Sequence, residues 1–144
     1  MIISDTREKT NEHILDYFKK NNIDFKVECL KTGDYINTDN PKIVIDRKKS
    51  IGECATNLCT SDKLRFWREL KRSYTSGQKF IILVECGGKI KTIADVPSWK
   101  SKFSTISGAR VQEEMYRVGV AYNVTWLFCD KRSTGRRIVE ILGG

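Results

Sequence analysis

Ile43-Val44-Ile45-Asp46-Arg47-Lys48 is a short apolar run that ends on an acid, an arginine and a lysine. Consecutive β-branched residues read as a strand, and a strand apolar at every position is buried on both faces, in the middle of a sheet. Strand side chains alternate between faces. Val44, Asp46 and Lys48 therefore share one face, and Ile43, Ile45 and Arg47 the other. An acid and a lysine emerge side by side at the end of a buried strand.

Working outward, residues 24–30 alternate Phe25, Val27 and Cys29 with Lys26 and Glu28, the pattern of a half-buried strand. Thr32-Gly33-Asp34 is a turn, and the return through residues 32–41 makes this start antiparallel. Residues 1–4 form a short apolar strand leading into Asp5. A helix opens at Thr10-Asn11-Glu12, carries Ile14, Leu15 and Phe18, and ends at Asn21-Asn22. Downstream, a helical stretch starts near Ser50 and pauses at Thr60-Ser61. A second helix spans residues 62–74, with Leu64, Trp67, Leu70 and Tyr74 on its apolar side and Gly77 as its stop. Residues 80–85 form the second buried strand. Val111, Met115, Val118 and Tyr122 make a helical stripe, residues 126–129 a last strand, and Ser133 or Thr134 caps a final helix closed by Gly143. The alternation predicts an α/β domain of three layers, a central mixed β-sheet flanked by helices. Residues 87–105 read as an inserted loop, pinned by Trp99 and Phe103.

The chain has 144 residues, one domain's worth, with 40% hydrophobic and 10% aromatic residues, enough for a core. Lys and Arg number 26 against 18 Asp and Glu, a net charge of +8 that favours a polyanionic partner. The excess is uneven: residues 1–50 hold 10 basic and 9 acidic side chains, residues 51–144 hold 16 and 9. The longest apolar run is residues 80–84, too short to span a bilayer, and the N-terminus shows no signal-peptide pattern. The five cysteines include no C-x-x-C pair, so they read as structural thiols in a reducing, cytoplasmic compartment. His13 stands alone in its helix as an ordinary surface residue.

Asp34 ends the turn beside the central strand and reaches toward Asp46. Two carboxylates a few ångströms apart repel unless one is protonated or a cation sits between them. Hard oxygen ligands suit Mg²⁺ or Mn²⁺. A lysine alongside, here Lys48, orients a water or neutralises a phosphate. This is the D…(D/E)-x-K arrangement of metal-dependent phosphodiester hydrolysis. The plain alternative is a solvated strand end.

Three stretches in order carry a resemblance: Ser4-Asp5-Thr6-Arg7-Glu8-Lys9, Lys31-Thr32-Gly33-Asp34-Tyr35 and Val44-Ile45-Asp46-Arg47-Lys48. They resemble the successive D-x-R-E, G-D and E-R-K motifs of the XPF-type structure-specific endonucleases, which have the restriction-endonuclease-like fold. The likeness spans nearly the whole chain, with the specific motifs in the first half. It implies Asp34 and Asp46 as metal ligands, Lys48 as the catalytic lysine, and Asp5 beside the metal with Arg7 and Glu8 supporting it. Arg47 is implied as the signature arginine, pointing off the catalytic face, with its carbonyl as a further ligand. The family's acid before Arg-Lys is usually Glu, whereas Asp46 stands here. Its later acid falls at Gly52, with Glu53 one residue on. The tandem helix-hairpin-helix and helicase domains of relatives are absent, so residues 1–144 read as one nuclease domain of the kind found in small prokaryotic or viral proteins. The resemblance implies an endonuclease for branched or flapped DNA, with a homodimer as one arrangement. The rival reading is a catalytically inactive DNA-binding or adaptor module on the same fold.

Two basic clusters fit DNA. Arg65, Arg68 and Arg72 follow spacings of three and four on one helix, and arginine forks suit phosphate. Lys131, Arg132, Arg136 and Arg137 crowd a helix N-terminus, where cations oppose the helix dipole unless an anion binds.

Overall fold

The computed structural model describes residues 1–102 and 104–143. Phe103, expected to help pin the loop, lies outside the described residues. The strands are β1 (Ile2–Asp5), β2 (Phe25–Glu28), β3 (Tyr35–Asn37), β4 (Asn40–Lys48), β5 (Lys79–Glu85) and β6 (Thr125–Cys129). The α-helices are α1 (Glu12–Lys20), α2 (Ile51–Cys59), α3 (Lys63–Thr75), α4 (Gly108–Tyr122) and α5 (Thr134–Leu142). The sheet order is β2-β1-β3-β4-β5-β6. β1 runs parallel to β2 and antiparallel to β3, β3 is antiparallel to β4, and β4, β5 and β6 are parallel. The sheet is mixed and central, as the alternation predicts.

The two faces of the sheet build two cores. Val44, Phe80, Ile82 and Val84 pack with Cys54, Leu58, Phe66, Leu70, Met115 and Val118 of α2, α3 and α4. Ile2, Tyr35, Ile45 and Leu83 pack with Ile14, Phe18, Ile138 and Leu142 of α1 and α5. β4 and β5 alternate strictly between these cores, which places Asp46 and Lys48 on the α2–α3 side and Arg47 on the α1–α5 side.

Four expectations shift. Residues 35–37, read as part of a connection, form β3 and separate β1 from β4. The strand expected to be half-buried is edge strand β2, paired only with β1, and Val27 is 51% exposed. In α3 the buried stripe is Phe66, Leu70 and Ser73, while Leu64 is exposed. The segment read as a loop holds a short 3₁₀ helix, Ile93–Ser98, with Val96 buried and a Thr92–Asp95 capping box. Among the described residues no helix is long and apolar enough to cross a membrane.

Gly33 is required where it stands. Its φ is +71°, and a Cβ there would meet Val44 Cγ1 at 2.2 Å. Its successor is stitched on both sides: Asp34 N–H donates to Ile45 O at 2.8 Å, and Asp5 N–H donates to Asp34 O at 2.8 Å. Gly33→Ala is expected to destabilise the domain by about 2–4 kcal/mol, combining left-handed strain with a clash in a packed core. Urea unfolding of that variant checks this, and an unchanged midpoint would refute it.

Candidate active site

The ends of β3 and β4 bring Asp34, Asp46 and Lys48 together, as the alternation of the strand requires. Asp46 and Lys48 are buried, and Lys48 Nζ lies 2.9 Å from Asp46 Oδ2. The approach is poorly aligned, so Asp46 Oδ2 has no hydrogen bond of good geometry. Asp34 Oδ2 accepts from Arg47 N–H at 2.8 Å. Burial first, then the adjacent Asp46 carboxylate, push the Asp34 carboxyl well above the usual carboxylate range. The charge on Asp34 is therefore disfavoured unless a cation lies beside it. Burial alone would lower the Lys48 ammonium. The Asp46 carboxylate, with Glu53 behind it, outweighs that and holds Lys48 above its ordinary value. Glu53 stands in the first turn of α2.

Asp46 and Lys48 open into a cleft of about 340 Å³, lined also by Arg7, Asn57, Arg65, Phe66, Glu69 and Arg72. Glu69 is a member that the sequence reading missed. Its carboxyl is pushed up by burial and then by Asp46. It lies four residues after Arg65 and three before Arg72, so the same helical spacing that grouped the arginines carries it onto their face. Arg68 does not line the cleft. Asn57 Oδ1 is a buried acceptor without a hydrogen-bond partner. Among the described residues no three His, Cys, Asp or Glu side chains converge as a metal-holding group.

Of the remaining motif residues, Asp5 adjoins Asp34, its N–H donating to Asp34 O at 2.8 Å, while Glu8 and Arg47 do not line the cleft. Asp5 is an anchor: it accepts from Arg7 Nε at 2.9 Å and from Leu30 N–H at 2.8 Å. Burial opposes its ionisation, but these donors prevail and its carboxyl sits below the usual range. Arg47, expected to point off the catalytic face, lies with Glu8 in a network on the opposite side of the sheet from Asp46 and Lys48. Arg47 is 1% exposed and bridges two buried carboxylates, with Nε 2.7 Å from Glu8 Oε2 and Nη1 2.5 Å from Glu85 Oε1. Tyr35 donates its hydroxyl to Glu8 at 2.6 Å. Glu85 Oε2 also accepts from Thr134 Oγ1 at 2.5 Å and lies 2.6 Å from His13 Nε2. His13 is thus no ordinary surface residue. Its side chain is 22% exposed and is tied to a strand 72 positions away.

In the second basic cluster two of the four cations are paired with an acid. Arg136 and Arg137 both pair with Glu140, at 2.9 and 3.1 Å. Asp130 Oδ1 accepts from Ser133 N–H at the turn leading into α5. Glu140 thus offsets part of the charge of Arg136 and Arg137. The structure does not bring Lys131, Arg132, Arg136 and Arg137 into the acidic cleft.

A family model described as the ERCC4 domain matches residues 4–140. Among solved structures, XPF from Aeropyrum pernix is similar with a TM-score of 0.74 at 17% identity, over 99% of this chain and 59% of that one. XPF from Aeropyrum pernix in complex with DNA is similar with a TM-score of 0.72 at 17% identity, over 99% of this chain and 62% of that one. The chain thus spans less than two thirds of either. At that identity the likeness shows the restriction-endonuclease-like fold. No curated protein matches the chain.

Proposed function

The chain belongs to the ERCC4 domain family, and on that premise we propose that it is a DNA-processing domain that grips duplex DNA across the Asp46 cleft and hydrolyses a phosphodiester bond there. The observation that carries this reading is the Asp34–Asp46 carboxyl pair with Lys48 beside it, rimmed by Arg7, Arg65 and Arg72. Branched or flapped duplexes are the proposed substrates, by analogy with the family.

The donor set accommodates a small hard cation. Mg²⁺ takes one or two protein carboxylates and fills its remaining positions with waters and substrate phosphate, so a third acidic side chain is not required. Asp34 and Asp46 would hold it, with Asn57 Oδ1 and Glu69 as acceptors nearby. When bound, a divalent ion supplies Lewis-acid polarisation of the phosphate and lowers the pKa of water. The protein's own groups do the rest. Lys48 is fixed by Asp46 and presents a cation to a phosphate oxygen. The Arg7, Arg65 and Arg72 guanidiniums draw the DNA backbone over the cleft. The packed wall of Phe66 keeps the Lys48 ammonium, 4.8 Å from its ring centre, out of bulk water.

A second reading is a module that holds DNA uncut. The lack of a three-residue metal-holding group among the described residues, and the neutralisation of Asp46 by Lys48, support it more directly than they support hydrolysis. One experiment separates the two. Flap, fork, four-way junction, duplex and single-stranded DNAs are incubated with the protein in Mg²⁺, Mn²⁺ or EDTA, with Asp46→Asn in parallel. Hydrolysis is expected in either metal, none in EDTA and none with the variant. Undiminished binding in EDTA with no cutting in any metal would establish the holding module instead.

A further inference from the structure

The acidic cleft does not end at Arg72. That arginine also lines a second hollow of about 400 Å³, whose other walls are Lys31, Thr32, Pro41, Lys42, Ser76 and Gln78. Lys31, Thr32 and Gln78 continue into a third hollow of about 250 Å³. The second hollow holds three cations and no acid, unlike the cleft, where Asp46 and Glu69 face the arginines. Lys31 and Lys42 are exposed, and neither forms an ion pair among the described residues. Three like charges around one concavity repel each other unless a polyanion lies between them.

The floor of the hollow is ordered by one side chain. Gln78 Oε1 accepts from Thr32 Oγ1 and from Ser73 Oγ, each at 3.1 Å, and its Nε2 donates to Pro41 O at 3.2 Å. The segment before β3, the start of β4 and the end of α3 are thereby tied together. The lysines thus stand on a fixed base, joined to the cleft by Arg72. No aromatic side chain lines either hollow, so neither offers a surface on which a base could stack.

We propose that the Lys31–Lys42–Arg72 trough is a second nucleic-acid contact, a track for the sugar-phosphate backbone of the DNA arm that leaves the acidic cleft past Arg72. The proposal rests on the DNA-processing reading of that cleft. The track reads charge, not sequence, and it requires the substrate to extend beyond the scissile phosphate on that side.

The test is DNA binding in EDTA, where no hydrolysis intervenes. Fluorescence anisotropy with a labelled flapped duplex is measured across a salt series. Wild type is compared with Lys31→Ala/Lys42→Ala and with Lys89→Ala/Lys91→Ala, which removes the same charge from a distant exposed loop. Loss of two phosphate contacts is expected to weaken binding roughly 50-fold at 0.1 M salt and to make the logarithmic salt slope shallower by about 1.8. The control should change the slope little. If the trough variant matches the control while wild type binds DNA, the track is refuted and the cleft reading stands. If wild type binds no DNA at any salt, both fall. Circular dichroism confirms that each variant is folded.

Discussion

Arg47→Ala is expected to cost about 3–5 kcal/mol of folding stability, because it strands buried charges that the guanidinium now serves. Glu8 and Glu85 are 5% and 6% exposed, and Arg47 lies between them. Removing it leaves two carboxylates facing one another across a core with one cationic partner gone. For a domain of this size the melting temperature should fall by about 10 °C or more. Arg47→Lys should recover little, since one ammonium cannot match a planar fork reaching both acids. Adding Glu8→Gln and Glu85→Gln to Arg47→Met should restore much of the loss, because it removes the uncompensated charges along with their partner. Thermal melts check the series. A drop of only a degree or two for Arg47→Ala would mean that water enters the network and carries the charge.

Asp34→Asn should have the opposite effect on stability and a large effect on chemistry. On the proposed function, loss of this carboxylate is expected to raise the barrier by about 4 kcal/mol, slowing hydrolysis on the order of a thousandfold. The same change should raise the melting temperature at neutral pH. Asp34's folded pKa is raised above the ordinary 3.8, first by burial and then by Asp46, so holding its charge costs stability. That cost disappears as the pH falls through the raised pKa, and none is left below the unfolded value. The advantage of the Asp34→Asn variant over wild type should therefore narrow on acidification. Melts over a pH series decide it, and curves that stay parallel would refute the assignment.

The parity of β4 was legible because a period of two leaves no freedom: once Ile43–Ile45 is a buried strand, Asp46 and Lys48 must part from Arg47. The turn glycine before Asp34 was legible for a similar local reason. β3 was not, since Tyr35-Ile36-Asn37 is three residues long and lies between turns. The place of β2 at the sheet edge depends on pairing between distant segments, which alternation does not reveal. The pairing of His13 with Glu85 joins residues 72 apart, and neither is unusual in its own segment. Glu69 was within reach of helical spacing, since it stands between Arg68 and Arg72 on α3, but no motif marks it. At α5, the pairing of Arg136 and Arg137 with Glu140, one turn away, was also within reach of helical spacing.

The stitching of Asp34 between Asp5 and Ile45 has a consequence for how the site comes into being. Its backbone closes the seam among three strands, and its carboxylate then takes the Arg47 amide. Pulling Asp34 away from Asp46 would unzip β1, β3 and β4 together, so assembling the site and completing the sheet are one cooperative event. Control over the pair has to come from protons, cations or DNA arriving at side chains that are already in place.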